Sequence, residues 1–184
     1  MKIVETGLQD AYVLEPEPIV DNRGKFARIY CLRELGQIGH YKSIVQINHS
    51  LTRKKGALRG MHFQYPPEAE IKMVKCVTGS VYDVIVDLRH NSPTFRKWHG
   101  EILSAENMNM MYIPEGFAHG FQVLKANSEL LYFHTQFYSP QCEGGVRFDD
   151  PAVNISWPLE VTDVSVRDRS HPLLPEDFEG IVLA

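Results

Sequence analysis

Arg59 and His62 fall within one short run, Gly56 to Gln64, that is otherwise apolar and punctuated by glycine. An arginine can grip an anion with a forked pair of hydrogen bonds. A histidine exchanges a proton near neutral pH. Together they sketch a site that holds an anionic ligand and moves a proton on it. On these residues alone a core histidine beside a surface arginine is the simpler reading, so the rest of the chain has to decide.

Further residues suit the same chemistry. Lys72 could steady a developing oxyanion by its charge. Tyr132 could deliver a proton, and His62 could remove one as a general base. Asp168, in Val164-Ser165-Val166-Arg167-Asp168, could orient that base. Arg53, Lys54 and Lys55 read as a solvated turn, whereas Arg59 reads as the anion holder. Asp83 and Asp87, with no histidine beside them in the sequence, read as structural.

The elements that would position these groups are short and β-rich. Strands are expected over 26–30, 44–50, 57–64, 73–77, 81–88, 98–103, 108–113, 118–124 and 129–138, with an edge strand and a second short run within 3–14. Asp21-Asn22-Arg23-Gly24 reads as a turn, and 32–38 as one or two helical turns. Thr78-Gly79-Ser80 reads as a hairpin turn. After Pro158 the tail looks irregular, with a short helical turn at 175–178. Many short strands at regular spacing indicate an all-β sandwich or barrel, with short peripheral helices.

Alternation then selects the inward side chains. Lys72, Val74 and Cys76 share a face, as do Phe117, His119, Phe121 and Val123. So do Leu130, Tyr132, His134, Gln136 and Tyr138. Ionisable and phenolic groups inside a barrel are costly unless paired, so their concentration points to a site. Arg59 and His62, three apart, would lie on opposite faces of an ideal strand. Gly60 is therefore expected to break the alternation.

Pro114, Gly116 and His119 have the PxGxxH spacing of the second cupin motif. The first cupin motif would start at His62, but Gln64 stands where the second histidine of an HxH metal pair would be. A cupin-type jelly roll without a metal is expected.

A chain of 184 residues with 43% hydrophobic content suits one domain, 1–184, with a real core. The net charge of −4 argues against nucleic-acid and anionic-membrane partners. No apolar run reaches the roughly 20 residues of a membrane helix. The N-terminus lacks the apolar core of a signal peptide. Three scattered cysteines read as reduced thiols, which points to the cytoplasm.

A set of motifs, in order along nearly the whole chain, carries a resemblance. They are Asp21-Asn22-Arg23-Gly24, Gln46-Ile47-Asn48-His49-Ser50, Leu58 to Gln64, Val86-Asp87-Leu88-Arg89 with Ser92-Pro93-Thr94-Phe95, Leu103 to Asn107, Ile113 to Phe121, Leu131-Tyr132, Tyr138-Ser139-Pro140, Asp149 to Ala152 and Ile155 to Pro158. The chain resembles the dTDP-4-dehydrorhamnose 3,5-epimerases. The resemblance implies a cofactor-free cupin homodimer that inverts C3 and C5 of a nucleotide-linked 4-keto-6-deoxy sugar, in a pathway to L-rhamnose or another sugar of cell-surface polysaccharide. His62 then resembles the base, Asp168 its partner, Lys72 the enolate stabiliser and Tyr132 the acid. Arg23, Gln46, Asn48, Arg59, His119, Tyr138 and Glu143 match positions that touch sugar, phosphates or base. Arg167 falls beside the dyad aspartate. Arg23 and Phe26 are expected to reach the partner subunit's site. Arg28, also placed at the substrate, stands where the family usually has glutamate, and Ile47 where it has aspartate. Both lie near the nucleotide end, which leaves the base open. Phe133 and His134 follow the tyrosine where a lysine is common. A C3-only epimerase, a keto-isomerase and a non-catalytic sugar-binding cupin are the alternatives.

Overall fold

The computed structural model describes residues 1–183. Its strands are β1 (Lys2–Glu5), β2 (Tyr12–Glu15), β3 (Ile19–Asp21), β4 (Gly24–Phe26), β5 (Gln46–Thr52), β6 (Ala57–Gln64) and β7 (Lys72–Thr78). They continue with β8 (Ser80–Asp87), β9 (Trp98–Ser104), β10 (Met110–Ile113), β11 (Phe117–Val123), β12 (Ser128–His134), β13 (Glu143–Gly145) and β14 (Asp163–Val164). Two short helices, α1 (Leu32–Leu35) and α2 (Val166–Ser170), lie outside the sheets.

One sheet runs β1-β2-β10-β7-β12-β5, and the other β13-β6-β11-β8-β9 with β14 parallel to β6. The two inner faces meet as a jelly-roll barrel, as the alternation predicts. Val74, Cys76 and Leu130 of the first sheet pack with Ile85, Leu103, Phe121 and Val123 of the second. Both outer faces are covered too. Met61, Phe63, Val84 and Val86 lie beneath Val153, Trp157, Leu174 and Phe178. Met73, Met110 and Tyr112 lie beneath Leu35, Ile38 and Ile44. Covering on both sides explains why every residue of β11 is buried. The irregular tail therefore serves as the lid of one sheet.

Several expectations are corrected. β7 and β8 are not a hairpin; each already has two ladder partners, and they lie in different sheets. Gly79, at φ +78°, turns the corner between sheets, and the Ser80 N–H donates to Ser128 Oγ at 3.0 Å. The strand expected from Phe26 to Tyr30 instead ends at Phe26, and the hairpin is β3 with β4. Ile19 faces Phe26, so the next partner would be Pro18, which has no N–H to extend the ladder. β12 stops at His134, where both neighbouring strands begin, rather than running to Tyr138. The tail's helix is α2, whereas Pro175 to Phe178 is only a turn closed by one backbone hydrogen bond.

The irregularity at Gly60 is present. His62 pairs with His119 and Arg59 with Phe121, so β6 carries one extra residue against β11. This bulge turns residues three apart toward one cavity. Gly60 sits at φ +126°, and a Cβ there would lie 2.5 Å from Gly120 Cα and 2.8 Å from the His119 carbonyl oxygen. Gly60→Ala is expected to cost about 3 kcal/mol or more. A urea denaturation midpoint equal to the parent's would contradict the close approach.

Candidate active site

Between the two sheets opens a cleft of about 700 Å³. Its wall on the second sheet carries Arg59, His62 and His119. The facing wall on the first sheet carries Asn48, Lys72, Tyr132 and His134. At the mouth stand Tyr138, Glu143 and Arg167.

His62 is half-buried, and its Nε2 lies 2.8 Å from Oδ1 of buried Asp168. A carboxylate only accepts, so the proton sits on Nε2 and the lone pair on Nδ1. The other Asp168 oxygen accepts the Gly60 N–H at 3.1 Å. Ser165 caps α2 and accepts from the Asp168 N–H at 3.0 Å, which fixes the carboxylate's origin. Burial works against the Asp168 charge, but the hydrogen bonds from His62, Gly60 and Ser165 and the attraction of His62 outweigh it. The carboxyl is held below its ordinary value.

On the facing wall, burial pushes Tyr132 up to about 12, against the opposing effect of its hydrogen bond with Ser50. The Tyr132 hydroxyl lies 3.1 Å from Ser50 Oγ. At neutral pH this phenol therefore carries its proton and can act as an acid. Lys72 is paired with Glu70 at 3.1 Å. Arg59 is aimed by Thr52, whose Oγ1 accepts from Nε at 3.0 Å.

His119 is buried, with Nε2 2.8 Å from Asp83 Oδ1. That corrects the premise of the structural reading of Asp83. A histidine does accompany it, but from the neighbouring strand, where sequence spacing gives no sign. Burial raises the Asp83 carboxyl, with His119 opposing. Asp87 does have a structural role, accepting from Arg89, Ser92 and Thr94.

Gln64 ties loops together: its Nε2 donates to the Glu68 and Phe137 carbonyls, and its Oε1 accepts the Ser139 N–H at 2.7 Å. That places Tyr138 at the mouth, where its hydroxyl donates to Glu143 Oε2 at 3.0 Å. Arg167 pairs with the other Glu143 oxygen. Gln46 accepts the Tyr138 N–H at 3.2 Å and donates to Asn48 at 3.2 Å.

Arg23, Phe26 and Arg28 are not brought to this cleft. Arg23 pairs with Asp21 on the exposed β3–β4 hairpin, Phe26 is 75% exposed, and Arg28 pairs with Glu34. Residues that sequence reasoning passed over are Ser50, Glu70 and His171. The His171 ring stands edge-on to His62, 5.9 Å between centroids.

A cupin-type barrel with an imidazole–carboxylate pair on one wall and a protonated phenol and an ammonium on the other defines a proton-transfer enzyme. The family model described as dTDP-4-dehydrorhamnose 3,5-epimerase matches residues 5–176, and the chain belongs to that family of isomerases. The chain is 43% identical over 178 residues to dTDP-4-dehydrorhamnose 3,5-epimerase of Salmonella typhimurium, covering 96% of this chain and 97% of the relative. It is similar to the crystal structure of dTDP-4-dehydrorhamnose 3,5-epimerase from Bacillus anthracis with TDP and PPi bound. There the TM-score is 0.90 at 42% identity, over 94% of this chain and 99% of that one. It is likewise similar to dTDP-6-deoxy-D-glucose-3,5-epimerase from Legionella pneumophila in complex with dTDP-4-keto-L-rhamnose. That match has a TM-score of 0.90 at 35% identity, over 100% of this chain and 99% of that one.

The depressed carboxyl of Asp168 has a consequence for stability. Its contribution is complete above the unfolded value of about 4 and is lost as pH falls through the lower folded value. Asp168→Asn should therefore flatten the acid limb of the stability curve. Urea midpoints taken from about pH 2 to 6 check this, and an unchanged limb would count against the pairing.

Proposed function

We propose that this enzyme inverts C3 and C5 of a dTDP-linked 4-keto-6-deoxy sugar, converting dTDP-4-dehydro-6-deoxy-D-glucose to dTDP-4-dehydro-L-rhamnose. The observation that carries the reading is the placement of His62 with Asp168 across one cleft from Lys72 and Tyr132. Nδ1 of His62 removes the proton alpha to the C4 ketone. The C–H electrons form a carbon–carbon double bond and the carbonyl oxygen becomes an enolate. Lys72 steadies that charge. When the enolate collapses, the carbon takes the Tyr132 hydroxyl proton on the opposite face, and solvent resets the two side chains. Asp168 steadies the imidazolium formed on the way.

Arg59 grips the diphosphate, and Asn48, Gln46 and His119 contact the sugar or nucleoside. Tyr138, Glu143 and Arg167 close the mouth around the nucleotide. The chain acts as a single domain in the cytoplasm and works as a homodimer. The β3–β4 hairpin supports the dimer: Ile19, Val20 and Phe26 are more than 70% exposed on an arm that leaves its own cleft. In the dimer that arm carries Arg23 and Phe26 to the partner's cleft, with Arg28 beside it.

In deuterium oxide, NMR should show label entering both C3 and C5 of the dTDP-sugar. His62→Ala should abolish both. Tyr132→Phe should still exchange the substrate's own protons while inversion falls. No exchange by the parent enzyme, with binding intact, would end the epimerase reading. Arg23→Ala should raise KM about tenfold with the fold intact. Sedimentation should give twice the monomer mass, and a monomer that is fully active would sink the arm's role.

A further inference from the structure

Glu70 is a carboxylate with only 10% of its side chain exposed, on the wall of the cleft, and the proton-transfer scheme does not use it. Each of its oxygens has one partner. Oε1 lies 3.1 Å from Lys72 Nζ, and Oε2 lies 2.6 Å from His134 Nδ1. His134, also 10% exposed, has its other nitrogen 3.3 Å from Asn48 Nδ2. Its ring stacks against Tyr132, 6.2 Å between centroids and 16° from parallel.

The carboxylate can only accept, so His134 donates from Nδ1 and accepts from Asn48 at Nε2. The result is one continuous chain, Asn48–His134–Glu70–Lys72. It starts at an amide on β5 and ends at the ammonium on β7. Lys72 and His134 are cross-strand partners, and just beyond them the Ile71 N–H donates to Thr135 Oγ1 at 2.9 Å. Burial works against the Glu70 charge, but Lys72 and His134 together outweigh it and hold the carboxyl below its ordinary value. The carboxylate thus stays charged where it can fix a lysine that would otherwise swing on a flexible stem.

We propose that Glu70 and His134 are positioning residues for the epimerisation. Glu70 aims the Lys72 ammonium at the ketone oxygen, and His134 holds both that carboxylate and the substrate-facing amide of Asn48. The proposal rests on Lys72 being the enolate stabiliser. Its two ends act on different kinetic quantities. The Glu70 end acts on the charge that appears in the transition state, and so on kcat. The Asn48 end acts on substrate binding, and so on KM.

Asparagine places its amide nitrogen where Nδ1 donates to Glu70, and glutamine places its carbonyl oxygen near Nε2, where it can accept from Asn48, so the two halves of His134 can be separated. Glu70→Gln should lower kcat tenfold to a hundredfold, roughly the loss of one hydrogen bond to a charged group, with KM little changed. His134→Asn should raise KM about tenfold and affect kcat less. His134→Gln should do the reverse. Thermal melts of all three variants report folding separately. The proposal is overturned if the folded variants match the parent, or if all three lose kcat and KM in the same proportion. The parent enzyme, assayed alongside for exchange at C3 and C5, distinguishes that result from failure of the epimerase reading itself.

Discussion

The carboxylate of Asp168 joins two parts of the molecule that are far apart in sequence, the tail and β6. One oxygen takes the N–H of Gly60 and the other takes Nε2 of His62. The first contact pins the bulge of β6, and the second sets the tautomer of the base. The residue itself hangs from a short helix in the tail that also covers the outer face of the same sheet. A buried carboxylate is tolerable only with such partners. The same demand therefore shapes the strand, the base and the docking of the tail.

The bulge has a second support. Gly60 and Gly120 face each other across β6 and β11 so closely that neither position has room for a side chain. Gly120 is flanked by His119, and Gly60 lies two residues before His62. The tight backbone contact therefore sets the spacing between two histidines on one wall. On the opposite wall the ladder is regular from Leu130 to His134, where cross-strand pairs hold Lys72 against His134 and Tyr132 beside Asn48. At the site residues, one wall is made by breaking the strand pattern and the other by keeping it.

Much of this could be read from residue types and their order. Short β-rich runs and spaced turns indicated the all-β barrel, because alternation and punctuation are local properties. The inward set of Lys72, His119, Phe121, Tyr132 and His134 followed from a period of two, and all of them line the cleft. The three-residue spacing of Arg59 and His62 even located the bulge. Where local logic failed, a distant partner decided. Thr78-Gly79-Ser80 has hairpin composition, yet its strands go to different sheets because each edge is already occupied.

The chemistry divides in the same way. The identities of His62, Lys72 and Tyr132, and the glutamine at position 64, were determined by the sequence itself, since a side chain's acid–base character goes with its type. Which groups meet was decided only by the tertiary structure. Asp83 stands behind His119 through strand pairing, and Glu70 stands between Lys72 and His134 through the end of a ladder. Asp168 reaches His62 across 106 positions of chain. Hydrogen bonds of this kind depend on distance in space, and folding, not spacing along the chain, sets that distance.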